Sequence, residues 1–127
     1  MSLDAVGVVC ENLKESVRFY SLLGVSFVEF EGEEHFEGET PSGVRLMLDS
    51  EALMKKINPS WQKPVGSGVI LCFKQQSSTQ VDSVYNKIIQ EGFNSIKSPW
   101  DAFWGQRYAS VKDPNGNQVD IFANLQN

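Results

Sequence analysis

The sequence predicts an α+β fold in which two βαβββ modules form a curved mixed sheet around a cleft, and three observations carry that expectation. A Pro-x-Gly turn occurs twice, as Pro41-Ser42-Gly43 and as Pro114-Asn115-Gly116. Each turn leads into an alternating run, Val44-Arg45-Leu46-Met47-Leu48 in one case and Gln118-Val119-Asp120-Ile121-Phe122 in the other, which is the period of a strand with two different faces. Ahead of each turn comes the same succession of an apolar β-rich run, an amphipathic helical run and further strands. A strand-plus-helix unit cannot bury both of its faces alone, so two such modules are expected side by side, with helices outside and a ligand cavity where the modules meet. The 127 residues suit one domain with a real core, made of modules 4–50 and 66–125 joined by a linker over 51–65.

Taken in order, Ala5 to Cys10 reads as a short buried strand rich in β-branched residues. Asn12 caps a helix, with Glu15 placed to close a capping box, and Leu13, Val17, Tyr20 and Leu23 supply its apolar stripe. Gly24 stops it. Val25 to Phe30 alternates and forms a second strand, residues 31–34 read as a solvated turn, and His35 to Glu39 and Val44 to Asp49 follow as strands three and four. Ala52 to Ile57 has room for a helical turn, but Asn58-Pro59-Ser60 and Lys63-Pro64 break the pattern. The order then repeats: a strand over Val69–Phe73, caps at Ser77-Ser78-Thr79, a helix carried by Val81, Val84, Tyr85, Ile88 and Ile89, and strands over Phe93–Lys97, Tyr108–Lys112 and Asn117–Phe122. Asp113-Pro114 opens the last turn because proline presets φ, and Asn115-Gly116 provides the positive-φ geometry of a hairpin.

Composition narrows the function. A formal charge of −5 and the absence of clustered Lys and Arg disfavour nucleic acid, while a mildly acidic surface suits solubility or a cationic small molecule. No apolar run approaches the roughly 18 to 20 residues that span a bilayer, and no basic-then-apolar leader is present, so no membrane partner and a cytoplasmic location are expected. Cys10 and Cys72 each sit in an apolar strand and read as core thiols, since two cysteines do not by themselves make a metal site.

Asn12-Leu13-Lys14-Glu15-Ser16-Val17-Arg18-Phe19-Tyr20, ending Leu22-Leu23-Gly24-Val25, and Trp104-Gly105-Gln106-Arg107-Tyr108 leading into Asp113-Pro114-Asn115-Gly116-Asn117 resemble the first-helix and closing-hairpin signatures of the vicinal oxygen chelate superfamily. That superfamily groups glyoxalase I, extradiol dioxygenases, and fosfomycin and bleomycin resistance proteins; the closing hairpin looks most like the bleomycin resistance branch. The resemblance implies the glyoxalase/bleomycin resistance fold. It also implies a divalent metal held by His and Glu at four strand positions, which fall here on Ala5, Met47, Gly68 and Asp120. A methyl, a thioether, a hydrogen and one carboxylate do not make a set of N and O donors for such a cation, so no metal, no cofactor and no catalytic residue are assigned. With one histidine in the chain, a two-His site is excluded at any alignment.

The candidate ligand-binding residues are Asp120, Trp100, Trp104, Tyr108, His35, Met47 and Gln118. Asp120, on the cleft side of a central strand, needs a partner such as Arg45, Arg107, a backbone donor or a cationic ligand. The cluster Trp100, Phe103, Trp104 and Tyr108 is dense for a connecting segment: it either packs a loop or offers stacking surfaces to a planar or cationic compound. His35 occupies in the first module the place of Tyr108 in the second, as a part-exposed strand residue or a cleft residue without an identifiable orienting partner. The branch resemblance implies a homodimer that sequesters an aromatic, cationic drug without turnover, as in antibiotic resistance. The alternative is a metal-dependent lyase, isomerase or dioxygenase using His35, Glu37 and Asp120.

Overall fold

The computed structural model describes residues 1–30, 32, 34–66 and 68–125; Glu31 and Glu33 of the expected solvated turn lie outside them. The chain divides into two compact units, Met1–Val65 and Gly66–Asn127. In the first, β1 (Ala5–Cys10), α1 (Leu13–Ser21), β2 (Ser26–Glu29), β3 (His35–Glu39), β4 (Arg45–Ser50) and α2 (Glu51–Ile57) follow one another. The four strands form a sheet of order β1-β4-β3-β2, in which β1 runs parallel to β4 and the other pairs are antiparallel. In the second unit β5 (Leu71–Lys74), α3 (Ser78–Gln90), β6 (Ser95–Ala102), β7 (Gln106–Lys112) and β8 (Gln118–Asn124) build the same sheet, β5-β8-β7-β6. The fold is therefore α+β with two βαβββ modules, as expected, but the strands fall into two four-stranded sheets. Each module closes its own sheet by laying its first strand parallel to its last.

Local chemistry accounts for most boundaries. Asn12 Oδ1 accepts from the Glu15 backbone N–H at 3.2 Å, which satisfies one of the orphan donors at the helix start; the Glu15 carboxylate turns to Arg18 instead of reaching back, so only half of the capping box forms. Ser50 and Ser77 cap α2 and α3 in the same way. The face that α1 buries is carried by Ser16, Phe19 and Tyr20, and the expected stripe of Leu13, Val17 and Leu23 is only half-buried. Residues three and four apart share a helix face, and Phe19 with Tyr20 sets that face. Residues 51–57 of the expected linker form α2, which lies against β4 and β1 and buries no side chain completely.

Two strands differ from the sequence expectation for reasons of pairing. β5 begins at Leu71, not Val69, because among the described residues it pairs with β8 alone, where Leu71 meets Val119 near that strand's start. β6 runs past Ser98-Pro99 to Ala102; proline, which has no N–H to donate, is tolerated on an edge strand, and the register slips between Ser95 and Lys97 and again between Lys97 and Trp100. Trp100 therefore belongs to a strand, and only Phe103, Trp104 and Gly105 form the connection to β7.

In each sheet alternation separates a helix-covered face from an opposite face. The first core gathers Val8, Cys10, Leu46 and Leu48 with Phe19 and Tyr20; the second gathers Ala109, Val111, Val119, Ile121 and Ala123 with Val81 and Ile88. Gly38 lies where β3 passes close to β2: a methyl there would meet the Ser26 carbonyl oxygen at 2.9 Å. Both hairpins turn alike. Gly43 N–H donates to Thr40 O and Gly116 N–H to Asp113 O, with φ of 91° and 87° at the two glycines, the left-handed residue that follows a type I turn in such hairpins. Asp113 braces the second turn by accepting from the backbone N–H groups of Asn115 and Asn117 at 2.8 and 2.9 Å.

Candidate functional site

Counting from the second turn, β7 and β8 place Ser110 opposite Asp120, Tyr108 opposite Phe122 and Lys112 opposite Gln118. β5 adds Cys72 beside Asp120, and β6 adds Trp100 opposite Tyr108. Cross-strand partners point to the same side of a sheet, so these residues share the face away from α3. Asp120 is 4% exposed and is held by three side chains: Tyr108 Oη donates to Oδ2 at 2.6 Å, Ser110 Oγ to Oδ1 at 2.7 Å and Gln118 Nε2 to Oδ1 at 3.0 Å. A buried carboxylate without such donors would be strongly destabilising. The expected arginine partners are not the ones used. Arg107 lies on the opposite face, where it clamps Asp82 of α3 through Nε at 3.0 Å and Nη2 at 3.3 Å and meets Asp101 at 3.2 Å. Arg45 is bound to Asp4 and Glu37. Among the described residues no Lys or Arg pairs with Asp120.

Burial first, and the adjacent Asp120 carboxylate second, push the Tyr108 phenol well above its ordinary range, so it stays a protonated donor. Next to it stands an aromatic wall. Trp104 meets Trp100, Phe103 and Tyr108 edge to face at centroid distances of 5.5, 4.9 and 5.2 Å, and Tyr108 stacks on Phe122 at 6.0 Å. Trp104 is 48% exposed, and its indole N–H is fixed to Gln106 at 2.8 Å, which in turn donates to Asn124. Lys97 Nζ lies 4.7 Å from the Trp100 ring centroid, so one face of that indole already carries a cation. Cys72, expected as a core thiol, is exposed, with its sulfur 4.0 Å from the Tyr108 hydroxyl. Partial burial of the sulfur and the neighbouring Asp120 raise the thiol's pKa despite the Tyr108 contact, which keeps it from being a ready nucleophile. Cys10 is buried, as expected.

The first sheet assembles a different group on its own face away from α1. From the chain ahead of β1 to β4 and β3, Arg45 Nη2 donates to Asp4 at 2.8 Å and Nη1 to Glu37 Oε1; His35 Nε2 meets Glu37 Oε2 at 2.7 Å, and its Nδ1 meets Asp49. His35 thus has two carboxylate partners that the sequence reading did not identify. Burial lowers its pKa, but the bonds to Asp49 and Glu37 outweigh that and raise it; the bond from His35, aided by Arg45, holds Glu37 below the usual carboxylate range. Met47 lies opposite Glu37 and beside Gly7 on this same face.

The metal that the fold family uses is not matched by these residues. Ala5 and Met47 offer no N or O side-chain donor, Gly68 precedes β5, and both oxygens of Asp120 already accept hydrogen bonds. His35, the imidazole of the alternative set, has both ring nitrogens facing carboxylates.

Residues 2–121 match the family described as Glyoxalase: Glyoxalase/Bleomycin resistance protein/Dioxygenase superfamily. Among solved structures, a glyoxalase/bleomycin resistance protein/dioxygenase family enzyme from Burkholderia phytofirmans PsJN superposes with a TM-score of 0.85 at 20% identity, covering 98% of this chain and 100% of its own. A glyoxalase/bleomycin resistance protein/dioxygenase from Nocardioides gives 0.77 at 24% identity, with 99% and 85% covered. A lactoylglutathione lyase from Agrobacterium tumefaciens gives 0.71 at 15%, with 96% and 92% covered. No protein of curated function matches the chain.

Proposed function

The chain belongs to the glyoxalase/bleomycin resistance protein/dioxygenase superfamily, and from that premise we propose that it is a metal-independent binder of an aromatic or cationic small molecule. One observation carries the reading: Asp120 is buried on the face of the second sheet away from α3, satisfied by neutral donors alone, next to a partly exposed wall of Trp100, Trp104 and Tyr108. Carboxylate and aromatic faces together attract a cation attached to a planar group. The donor set at the family's metal positions supports binding without the superfamily's usual Lewis-acid chemistry. Sequestration as a homodimer, in the manner of the bleomycin resistance branch, is the fuller form of this proposal.

The test is calorimetric titration of tag-free protein with planar cations such as acridine orange, repeated with Trp104→Ala. Aromatic anchors in binding sites are commonly worth more than about 1 kcal/mol, so the variant is expected to bind roughly tenfold more weakly, since about 1.4 kcal/mol is a factor of ten. Unchanged affinity would remove the aromatic wall from the site. Elemental analysis showing tightly held stoichiometric metal in protein purified without chelators would overturn the metal-independent reading, and sedimentation would test the dimer.

A further inference from the structure

The polarity of the hydrogen bonds around Asp120 says more than that the site is acidic. Tyr108 and Ser110 each own one hydroxyl proton, and both protons point at the carboxylate. A hydroxyl oxygen that has given up its proton in this way has only lone pairs left. Ser110 is 7% exposed and closed off, whereas Tyr108 is half-buried, its bond to Asp120 is only partly buried, and its ring packs edge to face on Trp104 at 5.2 Å. The bond to a carboxylate also makes that oxygen a stronger acceptor, because hydrogen bonds in a chain polarise one another. The phenol does not ionise in the usual range, so it keeps donating inward. Cys72 Sγ, 4.0 Å away, adds at most a weak thiol donor.

We propose that the Tyr108–Asp120 pair selects ligands whose polar group carries N–H donors, an ammonium, amidinium or guanidinium on an aromatic body, over anions and over fully alkylated ammonium ions. This rests on the small-molecule reading above and names its ligand class. An anion meets lone pairs and a carboxylate. A quaternary ammonium satisfies the aromatic faces and the charge but leaves the Tyr108 oxygen with only the weak Cys72 thiol as donor, and a polar atom desolvated with so poor a partner is costly. Aromatic stacking alone would not tell the two cations apart.

The experiment is calorimetric titration of the full chain with three matched probes: 2-naphthylmethylammonium, its N,N,N-trimethyl derivative and 2-naphthylacetate. The expected result is binding of the primary ammonium about tenfold or more tighter than the trimethyl compound, with the acetate weakest. Tyr108→Phe, checked for folding by its thermal melt, is expected to bring the two cations to within about twofold, and a wild-type-sized gap retained in that variant overturns the role given to the hydroxyl. Equal binding of the two cations by the wild-type chain, or tighter binding of the acetate, overturns the donor selection and leaves the small-molecule reading standing. Failure of all three probes to bind overturns the selection together with that reading.

Discussion

Replacing Asp120 with asparagine removes the charge from one acceptor of three hydrogen bonds while leaving its shape. In the favoured orientation the amide oxygen retains the donors from Ser110 and Gln118, now at 2.7 and 3.0 Å from Oδ1, and the NH2 faces the Tyr108 hydroxyl that stood 2.6 Å from Oδ2. The hydroxyl can rotate to accept, so no donor is necessarily orphaned. Hydrogen bonds to charged groups contribute about 1.5–3 kcal/mol and neutral ones about 1 kcal/mol, which over three bonds amounts to a loss of roughly 1.5–6 kcal/mol. Relief of the desolvation of a buried charge offsets part of it, leaving a net destabilisation on the order of 1–3 kcal/mol. A chain of 127 residues falls between the size classes for which each kcal/mol lowers the melting temperature by about 4–8 °C and by about 2–4 °C, so at about 4 °C per kcal/mol a fall of roughly 4–12 °C is expected by calorimetry at pH 7. The same variant should bring the Tyr108 phenol back toward its ordinary range in an ultraviolet titration, only part of the way because burial is the larger cause. A melting temperature that does not fall would refute the argument, since it would mean that the three donors gain nothing from a charged acceptor.

Gly38→Ala should destabilise the first unit by roughly 1–3 kcal/mol as an overpacking change, because the new methyl meets backbone, the Ser26 carbonyl at 2.9 Å, and β2 has to shift; an unchanged urea midpoint would contradict it. For His35 the sign follows from a folded pKa raised above the ordinary value. Its stabilisation is complete below about pH 6.5 and is lost as pH rises through the folded value. Glu37, held below its ordinary value, contributes above about pH 4.3 and loses that contribution as pH falls through its lowered value. The melting-temperature gap between wild type and His35→Asn is therefore expected to be widest near pH 6 and to narrow toward pH 9, and a gap that widens with pH would count against the pairing of His35 with Asp49 and Glu37.

What could be read from the sequence was the local and the periodic. Asn12, Ser77 and the two Pro-x-Gly turns act within a few residues of themselves, and the structure places caps and turns at them. The partners of Asp120 were within reach as well. Once a hairpin closes between Asp113 and Asn117, counting outward puts Ser110 opposite Asp120, and alternation sends Arg107 to the other face. The same count in the first hairpin puts Asp49 opposite His35. The extents of β5 and β6 were less accessible because both are edge strands, whose length depends on how far one neighbour runs. Ser98-Pro99 carries a real stop signal, and only the absence of a second partner on that side makes it harmless. The packing of Trp104 against three other rings depends on β6 continuing to Ala102, which no local pattern announces.

The two modules differ in length in a way that has its own consequence. α1 has 9 residues and α3 has 13; β2 has 4 residues and β6 has 8. Four residues are close to one helical turn, which changes the phase of a helix by only about 40°, and any even number leaves the phase of a strand unchanged. In the helix this keeps Val81 and Ile88 turned inward on α3, and in the strand the two register slips of β6 offset each other, so Trp100 still lies on the same side as Tyr108. One slip without the other would have swung Trp100 to the helix side of its sheet. The two modules therefore differ in size while their inward and outward faces stay in step, and the second carries its aromatic wall on the side away from the core.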